Sequence, residues 1–297
     1  MKPSLSILVG STASGKSSLA IEWARRTGGW ILSCDALLFY RGADIGTAKP
    51  TAKEREAHPH FGIDLCEPAE SYNVSRYIEY ALEVLERANE GGVPVLAVGG
   101  SGFYASSFND APPDPIAVPE SIRTAVRRLE AESGREGLKR RLLELDPQPD
   151  IDLNNPRRLA PALERCLTTG LTTSQLRKKQ KSIPCPFEKW DRKWFLVDRP
   201  TEELQRRIHF RTKTMIEEGL IDETVQLKNQ GMLQNPTLSS AIGYREILEY
   251  LEGKLTLSEV PNLISLHTEQ LASRQKKWIK KRLPEARLIY DARELGN

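Results

Sequence analysis

A short apolar run over residues 5–9, interrupted only by Ser6, stops at Gly10, and a helical pattern follows over residues 16–26 until Gly28-Gly29. The order is strand, glycine-rich loop, helix. Residues 30–34 read as a second strand, which delivers Asp35 at its carboxyl end, where open α/β sheets place their ligands. Val74, Tyr77, Ile78, Ala81, Leu82 and Leu85 recur at helical spacing until Gly91-Gly92, and a buried strand pattern then runs over 93–98. Two more strand patterns, at 194–197 and 287–290, lie far downstream with helical patterns between them.

What separates the two groups of strands is a helical stretch framed by proline clusters, Ala111-Pro112-Pro113-Asp114-Pro115 and Ile183-Pro184-Cys185-Pro186. Proline clusters disfavour continuous helix and mark connections between units. Helices are expected over 122–133 and 157–167. The pattern predicts an α/β protein, a parallel sheet core formed by residues 1–113 and 189–297, with a helical domain inserted at 114–188; whether the core is of P-loop NTPase type turns on the glycine-rich loop considered below.

Charge sharpens the division. The net charge of +3 is an average: residues 1–120 hold 10 Lys/Arg against 15 Asp/Glu, residues 121–192 hold 16 against 10, and the remainder holds 17 against 15. A cationic segment on a nearly neutral protein suits an anionic polymer, because neutralised phosphates release condensed counterions; a solvated helical surface accounts for the charge equally well. With 39% hydrophobic residues and 28% charged, the chain is of ordinary globular composition, without a run long enough to cross a bilayer. The amino terminus enters a strand pattern at once rather than a signal-peptide layout, so a cytoplasmic location is expected. Cys34, Cys66, Cys166 and Cys185 form no C-x-x-C pair, and the four histidines complete no zinc spacing.

The loop carries the clearest chemistry. Gly10-x-x-x-x-Gly15-Lys16-Ser17 is a P-loop pattern standing between a strand and a helix, the context the motif requires. Gly10, Ser11, Thr12, Ala13, Ser14, Gly15, Lys16 and Ser17 are the expected diphosphate site: backbone N–H groups and a helix amino terminus face the anion, Lys16 adds a point charge, and Ser17 can ligate Mg²⁺. The loop alone does not choose between ATP or another nucleotide and any other diphosphate. Asp35 reads as a general base, a water-mediated Mg²⁺ partner, or a solvated acid capping a turn. Over residues 274–282, six basic residues and Trp278 describe either an RNA-facing helix or a helix with Trp278 and Ile279 packed inward and lysines in water.

Asp35-Ala36-Leu37-Leu38-Phe39-Tyr40-Arg41-Gly42-Ala43-Asp44-Ile45-Gly46-Thr47-Ala48-Lys49-Pro50 resembles the tRNA dimethylallyltransferase (isopentenyltransferase) family, whose pattern there is D-S-x-x-x-Y-x-x-x-D-I-G-T-A-K-P. The resemblance continues in order through residues 60–64, Val98-Gly99-Gly100-Ser101-Gly102-Phe103-Tyr104, Asn155-Pro156-Arg157-Arg158-Leu159, Ala241-Ile242-Gly243-Tyr244-Arg245-Glu246 and Arg274-Gln275-x-x-Trp278. It implies transfer of a dimethylallyl group from dimethylallyl diphosphate to N6 of the adenosine on the 3′ side of the tRNA anticodon. The loop would then bind the diphosphate of the prenyl donor. Asp35 would accept the N6 proton, while Lys16, Ser17 with Mg²⁺, and Ser101 would stabilise the departing diphosphate. Asp35, Ala36, Leu37, Leu38 and Ser101 would meet the target base. Ser240, Ala241, Ile242, Gly243, Tyr244, Arg245 and Arg274 would lie against the tRNA. In the basic insertion, Arg123, Arg157 and Arg158 are candidates for backbone contacts to the anticodon stem-loop, and each reads equally well as a solvated helix charge. A monomer is implied.

The chain departs from the family pattern at Ala36, where Ser is usual, at Ser101 in place of Thr, and at Pro161 in place of an arginine. Ser101 keeps the hydroxyl, whereas Pro161 puts one RNA contact or one helix turn in question. Three rival readings compete: a small-molecule P-loop kinase, which leaves the GTAKP segment and the basic insertion unexplained; a prenyltransferase acting on free adenine nucleotides; and a non-catalytic RNA-binding protein.

Overall fold

The computed structural model describes residues 2–113 and 116–296, apart from the side chains of Pro156 and Arg157. Six strands form one all-parallel sheet: β1 (Ser4–Gly10), β2 (Trp30–Ser33), β3 (His60–Phe61), β4 (Val95–Gly99), β5 (Asp191–Val197) and β6 (Arg287–Leu288), in the order β3-β2-β4-β1-β5-β6. The helices are α1 (Lys16–Thr27), α2 (Ala52–Ala57), α3 (Val74–Glu90), α4 (Gly102–Ser106), α5 (Glu120–Leu145), α6 (Pro156–Thr169), α7 (Thr173–Lys181), α8 (Thr201–Glu217), α9 (Leu220–Asn229), α10 (Pro236–Ser239), α11 (Tyr244–Leu251) and α12 (Val260–Arg282).

The sheet follows from the patterning. β1 is the inner strand between β4 and β5, and Leu5, Ile7, Leu8 and Val9 are all fully buried, with Ser6 buried among them. α3 starts where the Asn73 side chain accepts the Arg76 N–H at 3.0 Å, and it buries Val74, Tyr77, Ile78, Ala81, Val84, Leu85 and Ala88 on one stripe. Phe39, Tyr77, Tyr104 and Phe108 form an aromatic cluster, with Phe39 stacked on Tyr77 at 5.5 Å and edge-on to Tyr104 at 5.1 Å. β3 has only two residues, too few for a period-2 pattern, and the sequence gives no sign of it.

The chain divides into two compact units, Met1–Asp110 with Pro186–Asn297, and Ala111–Cys185, so each break falls three residues before the one read from sequence. The second unit has its own core of Val126, Leu138, Leu142, Leu159, Leu163, Cys166 and Leu176. Within it the helix expected over 122–133 runs on to Leu145 across a kink at Gly134, whose backbone leaves the helical region. α6 continues through Pro161, so the proline costs a backbone hydrogen bond and not the helix. Among the described residues no helix is long and apolar enough to cross a membrane.

Candidate active site

The parallel sheet gathers the carboxyl ends of β1, β2 and β4 at one edge, and each leads into a segment that carries chemistry. After β1, the loop turns into α1 through Gly15 at φ 99°, a left-handed conformation that a side chain would strain. The first N–H groups of α1 have no intrahelical partner and favour an anion. Two buried hydroxyls of the loop, Ser11 Oγ and Ser14 Oγ, carry no hydrogen-bond partner in the protein. Both residues are buried within the loop, and neither is among those that line the cavity described below. The Lys16 ammonium folds over the loop and donates to the Ser11 carbonyl at 2.8 Å. Burial pulls its pKa down to about 8, a shift that the negative charge of Asp35 opposes.

The carbonyl side of the loop is held from outside. Arg207 Nε donates to Ala13 O at 2.7 Å, Arg199 Nε to Ser14 O at 3.1 Å, and Arg211 Nη1 to Thr12 Oγ1 at 3.3 Å. Burial lowers the pKa of Arg211, again opposed by Asp35. The Thr12 N–H does not point to an anion, as the motif suggested: it donates to Gln275 Oε1 at 2.8 Å, and Gln275 Nε2 donates to Gly100 O at 2.8 Å. One amide side chain on α12 thus ties the loop to the turn bearing Ser101.

Asp35 follows β2 and caps a single 3₁₀ turn, Ala36–Phe39, with its carboxylate accepting the Leu37 N–H at 3.4 Å. Ser101 stands at the amino end of α4 and its hydroxyl makes no cap. Thr12, Ala13, Gly15, Lys16 and Ser17 of the loop line one cavity of about 950 Å³ together with Asp35, Ser101, Ala36, Leu37 and Leu38, whereas Gly10, Ser11 and Ser14 of the expected diphosphate site do not reach it. Two further segments contribute to the cavity wall, Gly46, Thr47 and Ala48, and Ser240, Ala241, Ile242 and Gly243.

Those two wall segments share one anchor that the sequence did not single out. The buried carboxylate of Glu223 on α9 accepts the N–H groups of Asp44, Ile45 and Gly46 at 2.9, 2.7 and 2.9 Å, and the Tyr244 hydroxyl at 2.7 Å. Tyr244 is fully buried, so its side chain faces the protein and not a surface partner. Arg245 is partly exposed and bonded to Glu246, whose buried carboxylate also takes the Gly243 N–H at 2.7 Å and lies 2.7 Å from His267 Nδ1. Lys49 of the GTAKP segment is buried, with Nζ 2.6 Å from Asp44, 2.7 Å from Asp64 and donating to Tyr40 O at 2.8 Å.

The basic candidates scatter. Arg274 is exposed and does not line the cavity, whereas its neighbour Gln275 does. Lys276 is occupied by Asp198 at 2.8 Å and the Arg199 carbonyl at 2.9 Å, and Trp278 is half-buried with its indole against Gly102. Arg123 and Arg158 are exposed on the second unit, and the Arg157 side chain lies outside the described residues. Arg207 and Arg211 are the omissions a reader of the sequence had means to avoid, since they stand four apart on one face of α8. Among the described residues no cluster of three or more His, Cys, Asp or Glu side chains is placed to hold a metal.

The chain is similar to known proteins over most of its length. A profile of the IPP transferase family matches residues 38–282. The chain is 39% identical over 290 residues to a tRNA dimethylallyltransferase of Opitutus terrae, covering 97% of this chain and 93% of the relative. A crystal structure of the full-length tRNA isopentenylpyrophosphate transferase of Bacillus halodurans is 31% identical with a TM-score of 0.69, covering 98% of this chain and 90% of that one. A eukaryotic dimethylallyltransferase solved acting on tRNA is 25% identical with a TM-score of 0.80, covering 98% of this chain and 74% of that one. The profile alone spans far more than half of the sequence, and the relatives extend the match through the phosphate loop: the chain belongs to the IPP transferase family.

Proposed function

We propose that the protein is a tRNA dimethylallyltransferase that moves a dimethylallyl group from dimethylallyl diphosphate to N6 of the adenosine 3′ to the anticodon. The observation that carries this reading is the single cavity lined by the phosphate loop, Asp35 and Ser101 together. The carboxylate of Asp35 accepts a proton from N6 as the amine nitrogen forms its bond to the allylic carbon and the carbon–oxygen bond to diphosphate breaks. Charge that develops on the leaving oxygens meets the Lys16 ammonium, the loop N–H groups and the Ser101 hydroxyl. N6 is out of reach inside a stacked loop, so the adenosine is extruded into the cavity, with Ala36, Leu37 and Leu38 at its entry.

A magnesium ion fits the donors present. Ser17 would hold it through a hard hydroxyl oxygen and Asp35 through water, and the ion would supply positive charge to the diphosphate. Incubation with radiolabelled dimethylallyl diphosphate, Mg²⁺ and unmodified tRNA is expected to label the tRNA. Absence of label, with transfer from ATP to a small metabolite instead, would replace this reading by the kinase one.

The basic unit is assigned the anticodon stem. Its exposed Arg123 and Arg158 contact phosphates, which fix position without reading sequence. Replacing both by glutamate is expected to weaken tRNA binding and to reduce the slope of log affinity against log salt by about 2, one per lost phosphate contact. The affinity for the prenyl donor stays as it was. Filter binding across a salt series reads the slope, and a slope equal to that of the unmodified protein rejects the assignment.

A further inference from the structure

We propose that Glu223 is a positioning residue that fixes the spacing of two segments lining the cavity that receives the target base. The proposal rests on the function proposed above and extends it to a residue remote from the reacting atoms. Glu223 lies in the first turn of α9, and its two oxygens receive four donors. Oε2 takes the consecutive N–H groups of Asp44 and Ile45, and Oε1 takes the N–H of Gly46 and the hydroxyl of Tyr244. No ion pair with a basic side chain is recorded for it among the described residues, so the carboxylate is held by neutral donors and by the positive end of α9.

What matters is where the donors lead. Asp44, Ile45 and Gly46 run directly into Thr47 and Ala48, which form one wall of the cavity; Tyr244 follows Gly243, the end of the wall built by Ser240, Ala241, Ile242 and Gly243. These segments stand about two hundred residues apart in sequence, and one carboxylate spans them. They also meet without slack: a Cβ on Gly46 would come within 2.6 Å of the Tyr244 ring. The separation of the two walls is therefore fixed by the Glu223 hydrogen bonds and by a ring seated on a bare backbone. Three parallel N–H donors in succession suit a carboxylate and not an amide, because an amide nitrogen presents protons where it should accept them.

The test uses the whole protein with an unmodified anticodon stem-loop RNA. For Glu223→Gln, KM for RNA is expected to rise about tenfold or more, a change of about 1.4 kcal/mol. Donor affinity, measured separately by calorimetry, is expected to stay unchanged, as is kcat at saturating RNA. Tyr244→Phe keeps the ring on Gly46 and removes one of the four hydrogen bonds, so it should shift KM in the same direction by less. A general loss of fold would lower the active fraction and donor binding together and leave KM in place, and that outcome overturns the proposal. So does an unchanged KM in Glu223→Gln while the unmodified protein still transfers the prenyl group. If the unmodified protein transfers none, the function itself has failed, and the positioning role with it.

Discussion

Asp35→Asn is expected to slow prenyl transfer by about 10²- to 10⁴-fold, the range of a lost general base, while tRNA binding is retained. Asparagine keeps an oxygen that can accept the Leu37 N–H, so the 3₁₀ turn of residues 36–39 and the wall it forms survive the change. What disappears is a group able to take the N6 proton as the carbon–nitrogen bond forms. Its charge also goes. That charge opposes the effect of burial on Lys16 and Arg211, so the ammonium titrates at lower pH in the variant than in the unmodified protein. Single-turnover transfer measured beside tRNA affinity separates the two roles. Parallel losses in both would make Asp35 a binding residue and remove it from the chemistry.

Lys16→Met is expected to cost about 10²- to 10³-fold in transfer rate, comparable with removing one preorganised donor from a developing anion. The same residue imposes a pH dependence whose sign is fixed by its environment. Burial lowers its pKa to about 8, so below that pH the free protein already holds the cation that meets the diphosphate. Above it, binding the donor must first recover a proton, and donor affinity falls by up to about tenfold per pH unit. The stability of the donor-free protein runs the other way. The unfolded chain keeps its lysine protonated up to its ordinary value of 10.5, so between about 8 and 10.5 the unfolded state binds more protons and this residue's contribution to stability rises with pH. Calorimetric titration of donor across this interval shows the fall in affinity for the unmodified protein and its disappearance in Lys16→Met. A flat profile in the unmodified protein would mean that Lys16 does not carry the charge that holds the donor.

The legible parts of the fold were those with a long period or an obligatory local conformation. Strands β1, β2 and β5 and the stripe of α3 announce themselves in apolar spacing, and the phosphate loop does so through Gly15 and Lys16. The parts that stayed hidden depend on contacts across the chain. β3 exists because residues 60–61 pair with Ile31 and Leu32. Gln275 became part of the site only when α12 met both the loop and the turn after β4. Glu223 reads as one acid among several in a helical stretch until residues 44–46 fold onto it. Tyr244 is the reverse case: the motif drew attention to it, yet its side chain is buried against Glu223 and Gly46. A motif marks a segment, and neighbouring segments decide which side chain in it faces the ligand.

The place of β1 in the sheet bears on the timing of assembly. The strand that carries the phosphate loop is made before either of its partners, which are β4, near residue 95, and β5, beginning at Asp191. Parallel pairings between such distant segments are slow to close, because loop entropy is lost before any contact compensates for it. The helical unit, with a core of its own, is synthesised between β4 and β5 and has the means to form while β1 still lacks one neighbour. Arg199, which secures the loop, follows β5 directly, and Arg207, Arg211 and Gln275 come later still. A nascent chain that ends before Asp191 therefore contains the whole phosphate-binding motif and none of the side chains that brace it.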